Sequence, residues 1–233
     1  KQGRTEIHIG PRTYVTQQAR DYIKEKRLNL IVDGAPPENR EIRPAPEMAA
    51  GRFQTESGQA LHGKPEHMTH LHGNVLVPKT HSRIVLRGQL DSLEAEAVCL
   101  QLRAQRAGEE TLAGWLEEII TFCRGLMSCE VTEKPLGEWK LLGLGSRELR
   151  EQSQQPRTYF GVGHLLPDCR LGEWSVELNR LRALSRQVEL AAAEAFVHPD
   201  GTAECGDLLQ GYNRLSSAFY LLMLRLAAKK EGV

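Results

Sequence analysis

The sequence predicts an all-α fold: a five-helix up-down bundle, with a small α+β appendage at the N-terminus and a Pro/Gly-rich linker between them. Three observations indicate this. Apolar residues recur at helical spacing from Ser82 onward, prolines and glycines concentrate between residues 34 and 66, and the first 33 residues contain short apolar runs. We therefore divide the chain into residues 1–33, a linker at 34–66 and a helical domain at 67–233.

The individual elements follow from the spacing of apolar residues. In the first long helix, Leu86, Leu90 and Leu93 recur at spacings of four and three, which places them on one face. Equivalent stripes predict helices at 82–108, 109–130, 173–197 and 204–229, with a shorter charged helix at 146–155. Short connections between long helices imply the up-down arrangement. Residues 156–172 are predicted to form an irregular loop that carries function, and the appendage to contain strands at 5–9 and 28–32 around a helix at 16–26.

Composition excludes several classes of protein. The 233 residues contain 30 Lys+Arg and 30 Asp+Glu, so no overall positive field attracts nucleic acid. The longest apolar run, 218–224, is far shorter than the roughly 20 residues of a membrane span, and no secretory signal is visible. The five cysteines are widely spaced, without a Cys-x-x-Cys pair, which disfavours a disulfide framework or a thiolate zinc site. We expect a cytoplasmic protein that binds neither nucleic acid nor membrane.

Charged residues form a stripe on each of two predicted helices. Arg83, Arg87 and Asp91 lie at i, i+4 and i+8, beside the leucine stripe and just after Lys79. On spacing alone, this stripe is typical of a solvated flank with an Arg–Asp pair, and the alternative is one side of a binding site.

Arg182, Arg186 and Glu189 form the second stripe, on the helix at 173–197. Two arginines one turn apart repel each other unless an anion lies between them, and one glutamate can neutralise only one of them. The stripe is therefore either a surface charge cluster or a phosphate site.

Two further groups of polar residues have alternative interpretations. Asn213, Ser216 and Ser217 interrupt the apolar last helix, where buried amides and hydroxyls need partners, so they form an interhelical hydrogen-bond node or contact a ligand or metal. The cluster of His67, His70 and His72 has a possible metal spacing. A Pro/Gly-rich arm offers little of the rigidity that zinc sites require.

Taken together, three motifs in order resemble the cobalamin adenosyltransferases of the propanediol-utilization and ethanolamine-utilization type. Residues 79–93 are similar to the family's Lys-x-x-x-Arg followed by Gly-x-x-Asp-Glu-Leu. Residues 182–189 are similar to its Arg-x-x-x-Arg-Arg-x-Glu, and residues 213–216 to its Asn-Arg-Leu-Ser-Asp. The segments Thr69-His70-Leu71 and 163–167 are closest to the ethanolamine branch.

The resemblance implies a homotrimer with active sites between subunits that transfers the 5′-deoxyadenosyl group of ATP to cob(I)alamin, forming adenosylcobalamin. Arg186 would bind the phosphates, and Glu189 and Asn213 would hold the ATP-bound Mg²⁺ or another divalent ion. Asp91 and Arg182 would form a bridge across the subunit interface, completing a catalytic set with Arg186.

Further site residues are implied in the same way. Lys79 and Arg83 would complete the phosphate cradle, and residues 67–79 would contact the base and sugar, because the N-terminal ATP loop of the propanediol branch is not found here. Ser217 stands where that branch has Asp. The apolar wall below the corrin ring is expected from the loop at 156–172, with the following candidates: Tyr159, Phe160, His164, Leu165 and Leu166.

The ethanolamine branch also implies partners and leaves alternatives open. An adenosylcobalamin-dependent lyase would receive the product, and the protein would lie in the cytoplasm or within a bacterial microcompartment, in contact with its shell. One alternative is a non-catalytic corrinoid carrier or microcompartment-docking bundle. The other is a metal-dependent hydrolase built on the histidine cluster.

Overall fold

The computed structural model describes residues 6–10, 22, 23, 26, 28–32 and 52–231. The chain divides into two compact units, Lys1–Met48 and Ala49–Val233. In the first unit, strands β1 (Glu6–Ile9) and β2 (Asn29–Val32) pair in parallel. This confirms the two strands predicted there, whereas most of the helix predicted at 16–26 lies outside the described residues.

A small sheet precedes the helices of the second unit. Strands β3 (Phe53–Thr55), β4 (Ala60–Leu61), β5 (Met68–His72) and β6 (Val75–Pro78) form it in the order β4-β3-β6-β5. The strands β5 and β6 form an antiparallel hairpin, and β3 pairs with β6 in parallel. The all-α prediction is therefore corrected to a mostly helical fold with this added sheet.

The strands β3 and β4 lie within the segment for which a linker was predicted. Prolines exclude long elements there, but strands of three and two residues fit between them. A turn between the two strands is closed by the backbone N–H of Gly58, which donates to the carbonyl of Thr55 at 2.9 Å. The hairpin buries Leu71 and Val77 against the start of the first long helix. The helix therefore covers apolar side chains that the small sheet could not bury by itself.

The helices agree closely with the sequence prediction. They are α1 (Ser82–Arg106), α2 (Glu110–Thr132), α3 (Ser146–Gln154), α4 (Pro156–Phe160), α5 (Glu173–Phe196) and α6 (Gly206–Glu231). The stretch predicted to be irregular contains α4 and a 3₁₀ turn at Cys169–Leu171. Proline at the first position suits a short helix, because that residue needs no N–H donor.

The helices pack on one another through the predicted apolar stripes. The helix α6 packs against α5, α3 and α2, and α1 packs against α5 and α2. Buried members of the predicted stripes include Leu86, Leu116, Leu181 and Phe219. No helix in the described part of the chain is long and apolar enough to cross a membrane.

Candidate active site

A cleft of about 300 Å³ lies between α5, α6, the loop that follows α4, and the end of α3. It brings together residues from separate sequence motifs: Arg182 from the second charged stripe and Ser216 and Ser217 from the polar group of α6. Its full lining consists of Ser153, Leu165, Pro167, Asn179, Arg182, Ser216, Ser217, Tyr220 and Met223. The lining therefore combines polar and cationic side chains with apolar ones.

The second and third motifs meet directly where α5 packs on α6. The side-chain amide of Asn213 donates a hydrogen bond to the Glu189 carboxylate, 24 residues away in sequence, and both residues are half-buried. The amide oxygen of Asn213 accepts from Arg214. This pair forms an interhelical hydrogen-bond node, which is one of the two alternatives for these residues. The amide nitrogen of Asn213 faces Glu189, and its amide oxygen faces Arg214.

The guanidinium of Arg214 fixes the orientation of that amide. Arg214 is buried, with 8% of its surface exposed, and its Nε donates to the carbonyl of Ser146 at 3.0 Å and to the Ser146 hydroxyl at 3.1 Å. Burial lowers the pKa of Arg214 below its ordinary value. The same side chain also donates to Asn213. Arg214 therefore links the start of α3 to the polar group of α6.

The cations of the second stripe differ in their surroundings. Arg182 is half-buried and its Nε donates to the Asn179 side-chain oxygen at 3.0 Å. Arg186 and Asp91 are exposed, and among the described residues neither has a hydrogen-bond or ion-pair partner. The Asp91–Arg182 bridge predicted between subunits is not made within the chain, and it stays a prediction.

The first charged stripe is not a solvated flank, because both arginines bind a buried carboxylate of α2. Glu130 is 1% exposed. Its Oε1 accepts from Arg83 Nε at 2.5 Å, and its Oε2 accepts from Arg87 Nε at 2.5 Å. The predicted Arg87–Asp91 pair is therefore wrong. Glu130 was not predicted, although it continues the buried stripe of Cys123 and Leu126 at helical spacing.

A second carboxylate completes this arrangement at the surface. Glu133 Oε1 accepts from Arg83 Nη1 at 2.8 Å, and this hydrogen bond holds the pKa of Glu133 below its ordinary value. Burial by itself lowers the pKa of Arg83, but its hydrogen bonds to Glu133 and Glu130 raise that pKa above its ordinary value. Arg83 is thus a permanently charged group, and both of its anionic partners, Glu130 and Glu133, belong to the same chain.

Of the five residues expected below the corrin ring, Leu165 lines the cleft. Phe160 packs against the hydrophobic core, and the hydroxyl of Tyr159 donates to Glu151 at 2.7 Å on the protein surface. His164 lines a separate polar cleft beside α4, and Leu166 is 82% exposed.

Two apolar residues of α6 in the lining were missed by sequence reasoning. Tyr220 and Met223 follow Ser216 on α6 at spacings of four and three, and this spacing could have indicated them. The hydroxyl of Tyr220 accepts a hydrogen bond from the backbone N–H of Leu165 at 2.9 Å, and it lies 3.4 Å from His164 Nδ1. Tyr220 therefore holds the loop against α6.

The histidine cluster near the hairpin has other partners. His70 Nδ1 lies 3.2 Å from the Gly73 carbonyl, and His72 Nε2 lies 3.8 Å from Glu133. Among the residues that the structure describes, no group of three or more His, Cys, Asp or Glu side chains could hold a metal ion. The alternative of a metal-dependent hydrolase thus gains no ligand set from these residues.

Comparison with known proteins identifies the family. Residues 60–226, more than half of the chain, match the cobalamin adenosyltransferase family, and the chain belongs to that family. It is 30% identical to the corrinoid adenosyltransferase EutT of Salmonella typhimurium, with 97% of this chain and 87% of that protein covered. With the corrinoid adenosyltransferase EutT of Escherichia coli K12 the identity is 29% over the same shares. No solved structure matches the chain.

Proposed function

We propose that this protein is an ATP:cob(I)alamin adenosyltransferase of ethanolamine utilization, which transfers the 5′-deoxyadenosyl group of ATP to cob(I)alamin. The observation that carries the proposal is the contact between Glu189 of α5 and Asn213 of α6, close in sequence to Arg182 and Arg186 and to the residues that line the cleft. Family membership indicates the class of reaction. The Glu189–Asn213 contact indicates where in the fold we propose that the reaction takes place.

The exposed cations suit the triphosphate of ATP. When cob(I)alamin attacks the ribose 5′ carbon, a Co–C bond forms, the C–O bond to the triphosphate breaks, and negative charge grows on the departing oxygen. Arg186 has no anionic partner among the described residues, and Lys79 Nζ pairs at 3.3 Å with Glu66, which is fully exposed. Fixed cations beside the leaving group lower the energy of that charge separation.

The Glu189–Asn213 pair fits a divalent ion such as Mg²⁺. Mg²⁺ takes oxygen ligands and commonly uses one or two protein groups, with substrate phosphates and water completing its shell. The half-buried Glu189 carboxylate would supply an oxygen ligand. The Asn213 amide oxygen, which accepts from Arg214, has a second lone pair that could serve as another. When bound there, the ion would neutralise triphosphate charge, while Glu189 and Asn213 orient the phosphates relative to Arg186.

The apolar part of the cleft lining suits cobalamin. Leu165, Pro167 and Tyr220 contribute apolar surface to the cleft that Arg182 also lines. Such a surface would exclude water and a lower axial ligand from the cobalt, and a four-coordinate cobalt(II) is easier to reduce to the attacking cob(I)alamin. Holding cobalt and carbon in line then removes much of the entropic barrier. Exposed residues of the same loop, Leu166 among them, are available for the ring edge.

For the assembly we propose a five-helix up-down bundle made by α1, α2, α3, α5 and α6, which associates as a homotrimer. Asp91 of one subunit would pair with Arg182 of the next. Support comes from the exposure of Asp91 and its lack of a partner among the described residues. The product would pass to an adenosylcobalamin-dependent lyase, in the cytoplasm or inside a microcompartment.

The proposal is tested by measuring adenosylcobalamin formation by Arg186→Ala under anaerobic conditions. Removal of one preorganised charge contact should lower kcat by about 10²-fold or more. The matched control is Arg180→Ala, which removes an exposed arginine of the same helix that pairs with Glu96 and Glu177 and should retain activity. Unchanged turnover by Arg186→Ala would remove that residue from the site. A corrinoid carrier would bind cobalamin and show no dependence on ATP.

A further inference from the structure

We infer that Arg83, Arg87, Glu130 and Glu133 form a clamp that positions the β5–β6 hairpin, and through it Lys79, for the triphosphate of ATP. In this assignment Arg83 and Arg87 are positioning residues, and Arg83 is not the phosphate ligand that the sequence motif predicts. The inference rests on the proposed function.

All three guanidinium nitrogens of Arg83 already donate hydrogen bonds within the chain. Its Nε donates to Glu130 Oε1 at 2.5 Å, its Nη1 to Glu133 Oε1 at 2.8 Å and its Nη2 to the Glu130 carbonyl at 2.7 Å. The side chain is only 16% exposed. A phosphate would have to displace at least one of these charge-assisted hydrogen bonds, which are stronger than ordinary ones.

Arg87 extends the clamp from α1 to the hairpin. Its Nη2 donates to the Leu71 carbonyl at 2.8 Å and its Nη1 to the His70 carbonyl at 3.2 Å, while its Nε holds Glu130 at 2.5 Å. Both carbonyls belong to β5. One guanidinium therefore joins three elements, and a lysine cannot replace it because an ammonium lacks the planar fork that reaches separate acceptors.

Burial of Glu130 makes this arrangement specific. A carboxylate that is 1% exposed needs cationic partners, and two arginines one turn apart on α1 need an anion between them. Glu130 therefore supplies the anion that the two arginines need, and the arginines supply the cations that Glu130 needs. On the exposed side, His72 of β5 lies 3.8 Å from Glu133. The hairpin therefore contacts Glu133 as well as Arg87.

The β5–β6 hairpin links the clamp to Lys79. The strand β6 ends at Pro78, paired with Met68 of β5, and the backbone N–H of Lys79 donates to the His67 carbonyl at 2.9 Å. Lys79 therefore leaves the sheet at a fixed point. Its side chain is 54% exposed and pairs with a Glu66 side chain that is fully exposed, and such surface pairs are weak, so its charge stays available to an anion.

The test is a double-variant comparison of Arg87→Lys and Lys79→Met. Arg87→Lys should raise the KM for ATP and the equilibrium Kd for ATP about tenfold, because displacement of a positioning group by about 1 Å has effects of this size or larger. The KM for cob(I)alamin should stay unchanged. In the Lys79→Met background, Arg87→Lys should add little further loss, since the clamp acts through Lys79.

Arg103→Lys is the matched control, because Arg103 also lies on α1 and binds two glutamates, Glu173 and Glu177, away from the hairpin. It should leave the KM for ATP unchanged. Thermal unfolding is followed in parallel, and if Arg87→Lys is not folded, Glu133→Gln replaces it in the same comparison. An unchanged KM for ATP, or an equal loss with and without Lys79, would overturn the inference. An inactive wild-type protein would instead contradict the proposed function.

Discussion

At the scale of single residues, Arg214 shows how one buried cation organises the candidate site. It donates to the backbone and hydroxyl of Ser146 and to the side chain of Asn213, and Asn213 in turn holds Glu189. The orientation of the amide that faces the proposed metal ion is therefore determined by a residue that need not contact any ligand. In the proposed site, the sequence motif Asn-Arg-Leu-Ser would contain both a ligand contact and the residue that orients it.

Arg214→Met should lower the free energy of unfolding by about 1–3 kcal/mol, because it leaves half-buried acceptors of Ser146 and Asn213 without a donor. It should also reduce turnover, since Asn213 loses the hydrogen bond that orients it. Urea unfolding and the adenosyltransferase assay measure the two effects. Arg147→Met is the control, because Arg147 is exposed on α3. Equal stability of the two variants would contradict the role given to Arg214.

Other site residues show why part of the site was not predictable from the sequence. Arg182, Glu189 and Asn213 stand out because charged and amide groups interrupt apolar helices. Tyr220 and Met223 are chemically the same as core residues, so only their position beside a cleft identifies them.

At the scale of elements, the close approach of α6 to α2 depends on Gly211. A Cβ atom at this position would come within 2.6 Å of Leu126 Cδ2 and 3.0 Å of Leu136 Cδ2. Leu126 is fully buried, so it has little room to move. The absence of a side chain at Gly211 thus sets the spacing of the two helices next to Tyr212 and Asn213.

Gly211→Val should destabilise the protein by about 1–3 kcal/mol, because the added side chain overpacks the α2–α6 contact. Gly125→Val makes the same change in α2 at a position where an added Cβ meets no atom within 4 Å. This control should be neutral or slightly stabilising, since valine has a higher helix propensity than glycine. Chemical unfolding measures the free energy of unfolding of both variants. If Gly211→Val is as stable as the wild-type protein, the close approach of α2 and α6 does not depend on Gly211.

The elements also differ in how far the sequence determines them. The long helices were predictable within a few residues because leucines such as Leu86 and Leu90 repeat at helical spacing. The sheet was not, because β3 pairs with β6 across about 20 residues of sequence and neither strand is long enough to show alternation. The clamp was missed for a related reason: Glu130 lies on an apolar stripe, and its partners lie on another helix.

At the scale of the whole molecule, the proposed trimer would give Asp91 a partner that the described residues of one chain do not provide. Asp91 is exposed, and Arg182 of the same chain donates to Asn179. A bridge between subunits would give Asp91 a cationic partner and place Arg182 at the boundary between two chains. The cleft beside Arg182 would then be completed by a second subunit.

A charge reversal tests this arrangement. Asp91→Arg and Arg182→Asp should each weaken the trimer and lower turnover, because each places like charges opposite one another. Combined in one chain they should restore much of the trimer, with a coupling energy of about 1–3 kcal/mol. Sedimentation velocity measures the assembly state. Purely additive losses in the double variant would contradict a direct Asp91–Arg182 contact.

The proposed function requires this chain to form a Co–C bond at the expense of ATP. The most direct measurement is anaerobic incubation of the wild-type protein with cob(I)alamin and ATP, followed by absorbance spectroscopy and chromatography of the corrinoid and the released phosphates. We predict adenosylcobalamin in amounts that greatly exceed the enzyme, with one ATP consumed per product. A folded protein that leaves cob(I)alamin and ATP unchanged would contradict the proposed function.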